Sequence, residues 1–258
     1  MDQVIAWLTD PAHWSDTTGV PNRLFEHLYL CALSLGLATL LAFPIALYIG
    51  HTGRLAGIAV NVANIGRAIP SYAMMGILLP ISLAAAPVLG YDPGLGLAFL
   101  PVFGAMTLLA IPPILVQTWA GLRAVDRELI EAARGMGMTE RRILTSIELP
   151  LASSVIVGGF RTATLQVIAT ATIGAIFAFG GLGRFIFDGL NQGLAGRTSI
   201  YAGAIMVAGL AIGVDLALAL IQRRLTPRAL QAPRRRATSG PSSVVGGADL
   251  GTATGDAR

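Results

Sequence analysis

The chain contains no lysine; all 18 of its cationic side chains are arginine. A nucleotide-binding P-loop needs a lysine on the β- and γ-phosphates, so an ordinary ATPase site of that kind is excluded. Charge of either sign is scarce. Charged residues make up 12% of the 258 residues and hydrophobic ones 54%, where a soluble domain carries about 25% charge. With a mean hydropathy of +0.68, so little polar surface cannot keep this chain in water, and it reads as an integral membrane protein. Cysteine is nearly absent. Cys31 stands alone in an apolar run, which rules out an internal disulfide and a CxxC site and reads as a small buried hydrophobe. The three histidines, His13, His27 and His51, fall at no recognised spacing with carboxylates. HExxH and GxSxG are also missing, so neither a metal centre nor a hydrolase has support.

What the sequence does have is long apolar runs. A spanning helix needs about 20 such residues, and five runs qualify: about 28–49, 67–92 (with a start as early as Gly57), 92–123, 151–175 and 199–221. Arg161 interrupts the fourth and Asp215 lies inside the fifth. Arginines sort by side. Arg54, Arg67, Arg123, Arg127, Arg134, Arg141 and Arg142, with Arg223, Arg224 and the tail, fall on one side of these spans, against Arg23, Arg184 and Arg197 on the other. The positive-inside rule then puts the N-terminus outside and the C-terminus in the cytoplasm. Net charge +4 therefore reports topology, and no nucleic-acid partner is expected. Residues 1–23 form an extracytoplasmic segment in which Trp7 and Trp14 suggest a short interfacial helix, and whose acidic start is unlike a signal peptide. Residues 24–223 hold the spans, and 224–258, rich in Pro, Arg, Gly and Ser, are expected to be disordered. The fold class is an all-α, five-span membrane protein.

The loop at 123–150, RAVDRELIEAARGMGMTERRILTSIELP, is the most informative stretch. It is charged, amphipathic and too long for a turn. One short helix through Leu129, Ile130, Ala132, Ala133 and Met136 is expected to end at the glycines Gly135 and Gly137. A second, from Thr139 to Glu148, has Thr139 as its expected N-cap. Two such helices across the inner membrane face suit the docking of a cytoplasmic protein. Small Ala132 and Ala133 permit close approach, Gly137 permits a sharp turn, and Glu131 offers a carboxylate.

Glu131-Ala132-Ala133, three residues, Gly137, nine residues, Ile147, one residue, then Leu149-Pro150 resembles the EAA loop of type I ABC importer permeases. The resemblance implies that this loop is the coupling helix that fits a groove on a separate ATPase subunit, which binds the ATP; the permease itself needs no cofactor. It also implies a second permease copy or a similar permease, an extracytoplasmic substrate-binding protein that selects the cargo, surrounding membrane lipid, and a place in the bacterial cell (inner) membrane. Asn64-Ile65-Gly66-Arg67-Ala68-Ile69-Pro70-Ser71 is similar to the start of a span in the glycine betaine, choline and carnitine subgroup. So are Arg161-Thr162-Ala163-Thr164, Ala169-Thr170-Ala171-Thr172, and Gly180-Gly181-Leu182-Gly183 with Ile186-Phe187-Asp188-Gly189-Leu190. The implied cargo is an osmoprotectant.

Ionisable groups inside a bilayer need partners. Arg161 and Asp215 fall at similar depth, about 15 and 12 Å from the cytoplasmic ends of their spans at the helical rise, and are expected to pair. A position for Arg161 on the pathway, together with Arg67, Pro70 and Ser71, is the alternative. Prolines 44, 70, 80, 87, 101, 112 and 113 fall within spans, and broken helices mark transport pathways. Tyr72, Tyr91, Trp119 and Tyr201 suit either a quaternary ammonium cargo or an aromatic belt. A secondary transporter, or a permease for another small solute, remains open, but the former leaves the loop unexplained.

Overall fold

A computed structural model describes residues 2–89 and 93–225, without the side chains of Arg67, Leu89 and residues 93–98. The tail beyond Leu225, Tyr91, Asp92 and the Arg67 side chain therefore lie outside the described residues. Among the described residues every regular element is helical: α1 (Asp2–Thr9), α2 (Ala12–Ser15), α3 (Val20–Thr52), α4 (Ala56–Ala68), α5 (Ser71–Leu89), α6 (Pro93–Arg123), α7 (Arg127–Gly135), α8 (Glu140–Ile143), α9 (Leu149–Ile173), α10 (Gly183–Asn191) and α11 (Arg197–Leu225). Five helical stretches are long and apolar enough to cross a membrane: Val20–Thr52, Ser71–Val88, Phe99–Arg123, Glu140–Phe177 and Arg197–Leu225.

Helix α6 is the hub. In its most apolar stretch 61% of residues are buried, against none in α11, and it packs on α3, α5 and α9. Between helices in lipid there is little hydrophobic drive, so contact depends on small residues that let backbones approach. Gly159 of α9 is such a point. A Cβ there would meet Gln117 Cβ at 2.6 Å and the Pro113 carbonyl at 2.9 Å. Gly121 faces Ala152 and Val155 in the same seam. Outward-facing Leu40, Ile81, Ile212 and Leu216 are more than half exposed, as lipid contact permits.

The second crossing, Ser71–Val88, lies within the expected run at 67–92, and the short apolar helix α4 precedes it across a break. Gly66 of α4 sits against Pro112, Met74 of α5 lines a cleft with Leu108, and Leu78 approaches Gly104. Helices α4 and α5 therefore follow one another antiparallel to α6. The break falls at Ile69, whose φ and ψ of −79° and 121° are extended, because a residue before proline is pushed out of the helical region. Pro112 lies eleven residues from Arg123, so the break is about 16 Å from that end of α6.

The fourth crossing differs from expectation. The second loop helix is not separate from it: Glu140 to Phe177 is one helical run, in which Arg161 interrupts only the apolar pattern. Within it, Leu144–Glu148 is a π turn in which the Leu149 N–H reaches the Leu144 carbonyl. Pro150 is the physical reason, since it has no N–H and its ring crowds the carbonyl four residues back; widening one turn accommodates it.

At the end of the bundle away from the loop, α1 packs on α11. Trp7 stacks on His13 at 3.9 Å and meets the Phe185 ring edge-on. There the Glu26 carboxylate accepts the Gly181 N–H at 2.7 Å and Arg23 at 2.9 Å. Buried His27 donates from Nε2 to the Ile168 carbonyl at 3.2 Å, and Cys31 is buried beside it in the chain.

Candidate functional site

The loop between α6 and α9 begins with Asp126, whose carboxylate accepts the Glu128 N–H at 2.9 Å and caps α7. This cap is the favoured chemistry at a helix N-terminus and had no part in the reading of the sequence. Helix α7 ends in a Schellman turn: the Met138 N–H bonds the Ala133 carbonyl at 3.1 Å and the Gly137 N–H bonds Arg134 at 2.9 Å. That geometry needs a left-handed residue after the cap, and Gly137 supplies it with φ +81°. Thr139 occupies the N-cap position of α8, but its hydroxyl makes no capping bond.

The motif residues divide by direction. Glu131, Ala132 and Gly137 are exposed, whereas Ala133 is 1% exposed and turned into its own protein. The expectation that both alanines offer a surface to a partner is thus corrected: Ala132 is exposed, and Ala133, 100° further round the helix, is turned inward. Ile147 and Leu149 pack with Leu122, Val125, Ala152 and Ile156 in an internal apolar cluster. Pro150 is exposed at the π turn. Two apolar side chains face out where a docking face is expected, Met136 at 77% exposure and Leu129 at 45%.

Charges lock the loop. Arg134 Nε and Nη2 donate to the two Glu140 oxygens at 2.6 and 2.9 Å across the turn. The Arg134 guanidinium holds the Glu140 carboxyl below the usual glutamate value of 4.5, and Glu140 raises Arg134 in return. Glu140 also lies 3.1 Å from His51 Nε2, while His51 Nδ1 is 2.6 Å from buried Glu148. His51, at no recognised spacing with carboxylates along the sequence, is therefore grouped with two of them in space. Among the described residues, no group of three or more His, Cys, Asp or Glu is placed to hold a metal ion.

Within the spans, the structure brings Arg161 and Asp215 together. Arg161 Nε and Nη2 donate to Asp215 at 2.8–3.0 Å, and Nη1 donates to Gln222 at 2.9 Å. Gln222 continues to the Ser154 carbonyl at 2.8 Å. Each of the charged pair is 30% exposed. Arg67, Pro70 and Ser71 lie apart from this pair, at the break between α4 and α5, beside an apolar cleft of about 510 Å³ lined by Ala59, Val62, Gly66, Ile69, Met74 and Pro112. Tyr72 is exposed and touches Phe177, Tyr201 is exposed, and Trp119 packs against the core.

Five helical crossings around a central α6, with a charged, glycine-turned helix hung between the third and fourth, define a membrane-spanning transport permease. The chain belongs to the family described as the binding-protein-dependent transport system inner membrane component, which matches residues 38–227. It is 32% identical to the carnitine transport permease protein OpuCB of Listeria monocytogenes, over 91% of this chain and 98% of that protein. It is 34% identical to the choline transport system permease protein OpuBB of Bacillus subtilis, over 81% and 89% respectively. The osmoprotectant import permease protein OsmW of Salmonella typhimurium is 34% identical, over 86% and 100%. Among solved structures, an inward-facing MetNI methionine ABC transporter superposes with a TM-score of 0.67 at 21% identity, over 81% of this chain and 96% of that one. An amino acid ABC transporter with histidines gives 0.59, also at 21% identity. The structural likeness carries the fold alone.

Proposed function

We propose that the chain is the membrane path of an ATP-driven importer for a compatible solute such as glycine betaine, choline or carnitine. The names of its relatives, permeases for carnitine, choline and osmoprotectants, support that cargo. Its arginine-rich end faces the cytoplasm of a bacterium, in line with the positive-inside rule. A separate ATPase subunit docks there, and it alone binds ATP; the permease holds no cofactor. A second copy, or a similar permease, completes the path, a substrate-binding protein delivers cargo from outside, and lipid covers the outward leucines.

The observation that carries this reading is the divided face of α7. Ala133 anchors the helix to the spans while Glu131, Ala132 and Met136 project from the tip beside the Gly137 turn. Ile147, Leu149 and Pro150 shape the run that transmits loop movement to α9. The cargo path runs by the helix break at Arg67, Pro70 and Ser71, because discontinuous helices lie at the midplane sites of many transporters. Asp215 neutralises Arg161, so a cationic cargo meets no unpaired positive charge there.

The test is uptake into proteoliposomes holding the permease, its ATPase and its binding protein. ATP-dependent, saturable uptake of labelled carnitine, choline or glycine betaine is expected. Uptake driven by an ion gradient with no ATP would restore the secondary transporter, and ATP-driven uptake of an unrelated solute alone would overturn the cargo.

A further inference from the structure

His51 is in the last turn of α3, and its ring stands between carboxylates from two points of the loop run. Nδ1 lies 2.6 Å from Glu148 Oε2, and Nε2 lies 3.1 Å from Glu140 Oε2. Each ring nitrogen faces a carboxylate oxygen, so the one ring bridges both carboxylates. Neither partner is loose. Glu148 is 3% exposed within the π turn, and Glu140 is gripped by both arms of Arg134. A polar cavity of about 70 Å³ beside the ring is lined further by Arg123, Arg127 and Glu131.

The connectivity gives this contact its meaning. Loop displacement reaches α9 through the continuous helix from Glu140. No such continuity reaches α3, which ends at Gly53 in a left-handed cap and leads on to α4. Helix α3 packs on α6 and α9 through apolar contacts that include Phe43 and Leu47, and His51 adds a polar tie from α3 to the loop run. We propose that His51 is a positioning residue for transport: a strut that makes the first crossing move with the loop and the fourth crossing. This rests on the reading of the loop as the ATPase dock.

The strut is tested in the reconstituted complex by measuring cargo transported per ATP hydrolysed, alongside retention of the ATPase on purification. His51→Gln offers one amide and no charge. Its complex should keep the ATPase yet lose roughly 2- to 30-fold in transport per ATP, the range over which residues remote from both ligands modulate coupling. His51→Arg, which brings a charged fork of donors and has room on the side of half-exposed Glu140, should recover most of that loss; a bystander in simple packing would not be rescued by a larger cation. Glu140→Gln removes the exposed half of the tie without touching the buried half, and should reproduce part of the loss even where a His51 variant assembles badly. Wild-type transport per ATP in both His51→Gln and Glu140→Gln overturns the strut. An intact chain that retains no ATPase removes the docking reading instead, and the strut with it.

Discussion

His51 and Glu148 are 97 positions apart in the chain and 2.6 Å apart in space. One lies in the last turn of the first crossing and the other in the π turn of the helical run that forms the fourth. Their contact pins two membrane helices together at the level of the loop, inside a chain of charges that runs on to Glu140 and Arg134. Loop and membrane helices therefore share one polar joint, and the predictions below probe its parts and its surroundings.

The Arg134–Glu140 clamp should survive mild acid. A carboxyl whose folded-state value is depressed stabilises the fold above its unfolded value, and loses that stabilisation as pH falls through the folded value. Glu140 is held below 4.5 chiefly by the Arg134 hydrogen bonds, so the turn should stay ordered at pH 4.5 and loosen only below it. A spin label on Met136→Cys reports this, since Cys31 is buried and unreactive by position. In Arg134→Gln that acid-dependent step should largely disappear, the turn being looser at every pH; an unchanged profile contradicts the clamp.

Neighbouring glycines of α9 should behave differently. Gly159→Ala forces a methyl into Gln117 and the Pro113 carbonyl, and overpacking of this kind costs about 1–3 kcal/mol. At Gly158 the nearest atom is Gln222 Nε2 at 3.8 Å, so Gly158→Ala should be neutral. Thermal unfolding in detergent separates the two.

Gly137→Ala should weaken the loop turn through the backbone alone. No atom stands within 4 Å of the added methyl, so the cost is that of a left-handed alanine, about 1 kcal/mol. Gly135 has equally open space but no such φ, and Gly135→Ala should leave the turn intact. Hydrogen exchange at the Gly137 and Met138 amides distinguishes these outcomes.

Removing one member of the Arg161–Asp215 pair should cost more than removing both. Asp215→Leu leaves an arginine unmatched within the spans, with an expected loss of about 1–3 kcal/mol after allowing for partial exposure. Arg161→Met with Asp215→Leu should recover part of it. Unfolding in detergent gives the double-mutant cycle, and additive losses would contradict a coupled pair.

Much of this fold was legible in the chain because lipid imposes length and apolarity on each crossing, and arginines mark the ends. The pairing of Arg161 with Asp215 was legible for a related reason: equal depth and opposite charge leave few other partners inside a bilayer. The Gly137 turn was legible because few residues other than glycine accept its φ. The break between α4 and the second crossing was blurred, since the apolar run has a possible start at either Gly57 or Arg67. Joining of the loop's second helix to α9 was hidden by Pro150, which ordinarily signals a helix start; the π turn that absorbs it has no sequence mark. The inward turn of Ala133 follows from helical phase, but which phase faces the spans is decided by Ile130, Leu144 and Ile147 packing on Leu122 and Val125. His51 was illegible because its partners come from a distant segment.

The most direct test is co-purification of the permease with its ATPase, comparing the intact chain with Glu131→Arg and Met136→Asp. Both side chains are exposed, Glu131 on α7 and Met136 at its C-cap, so the variants should remain folded in membranes and release the ATPase while the intact chain retains it. Retention of the ATPase with normal transport in both variants would contradict docking on α7.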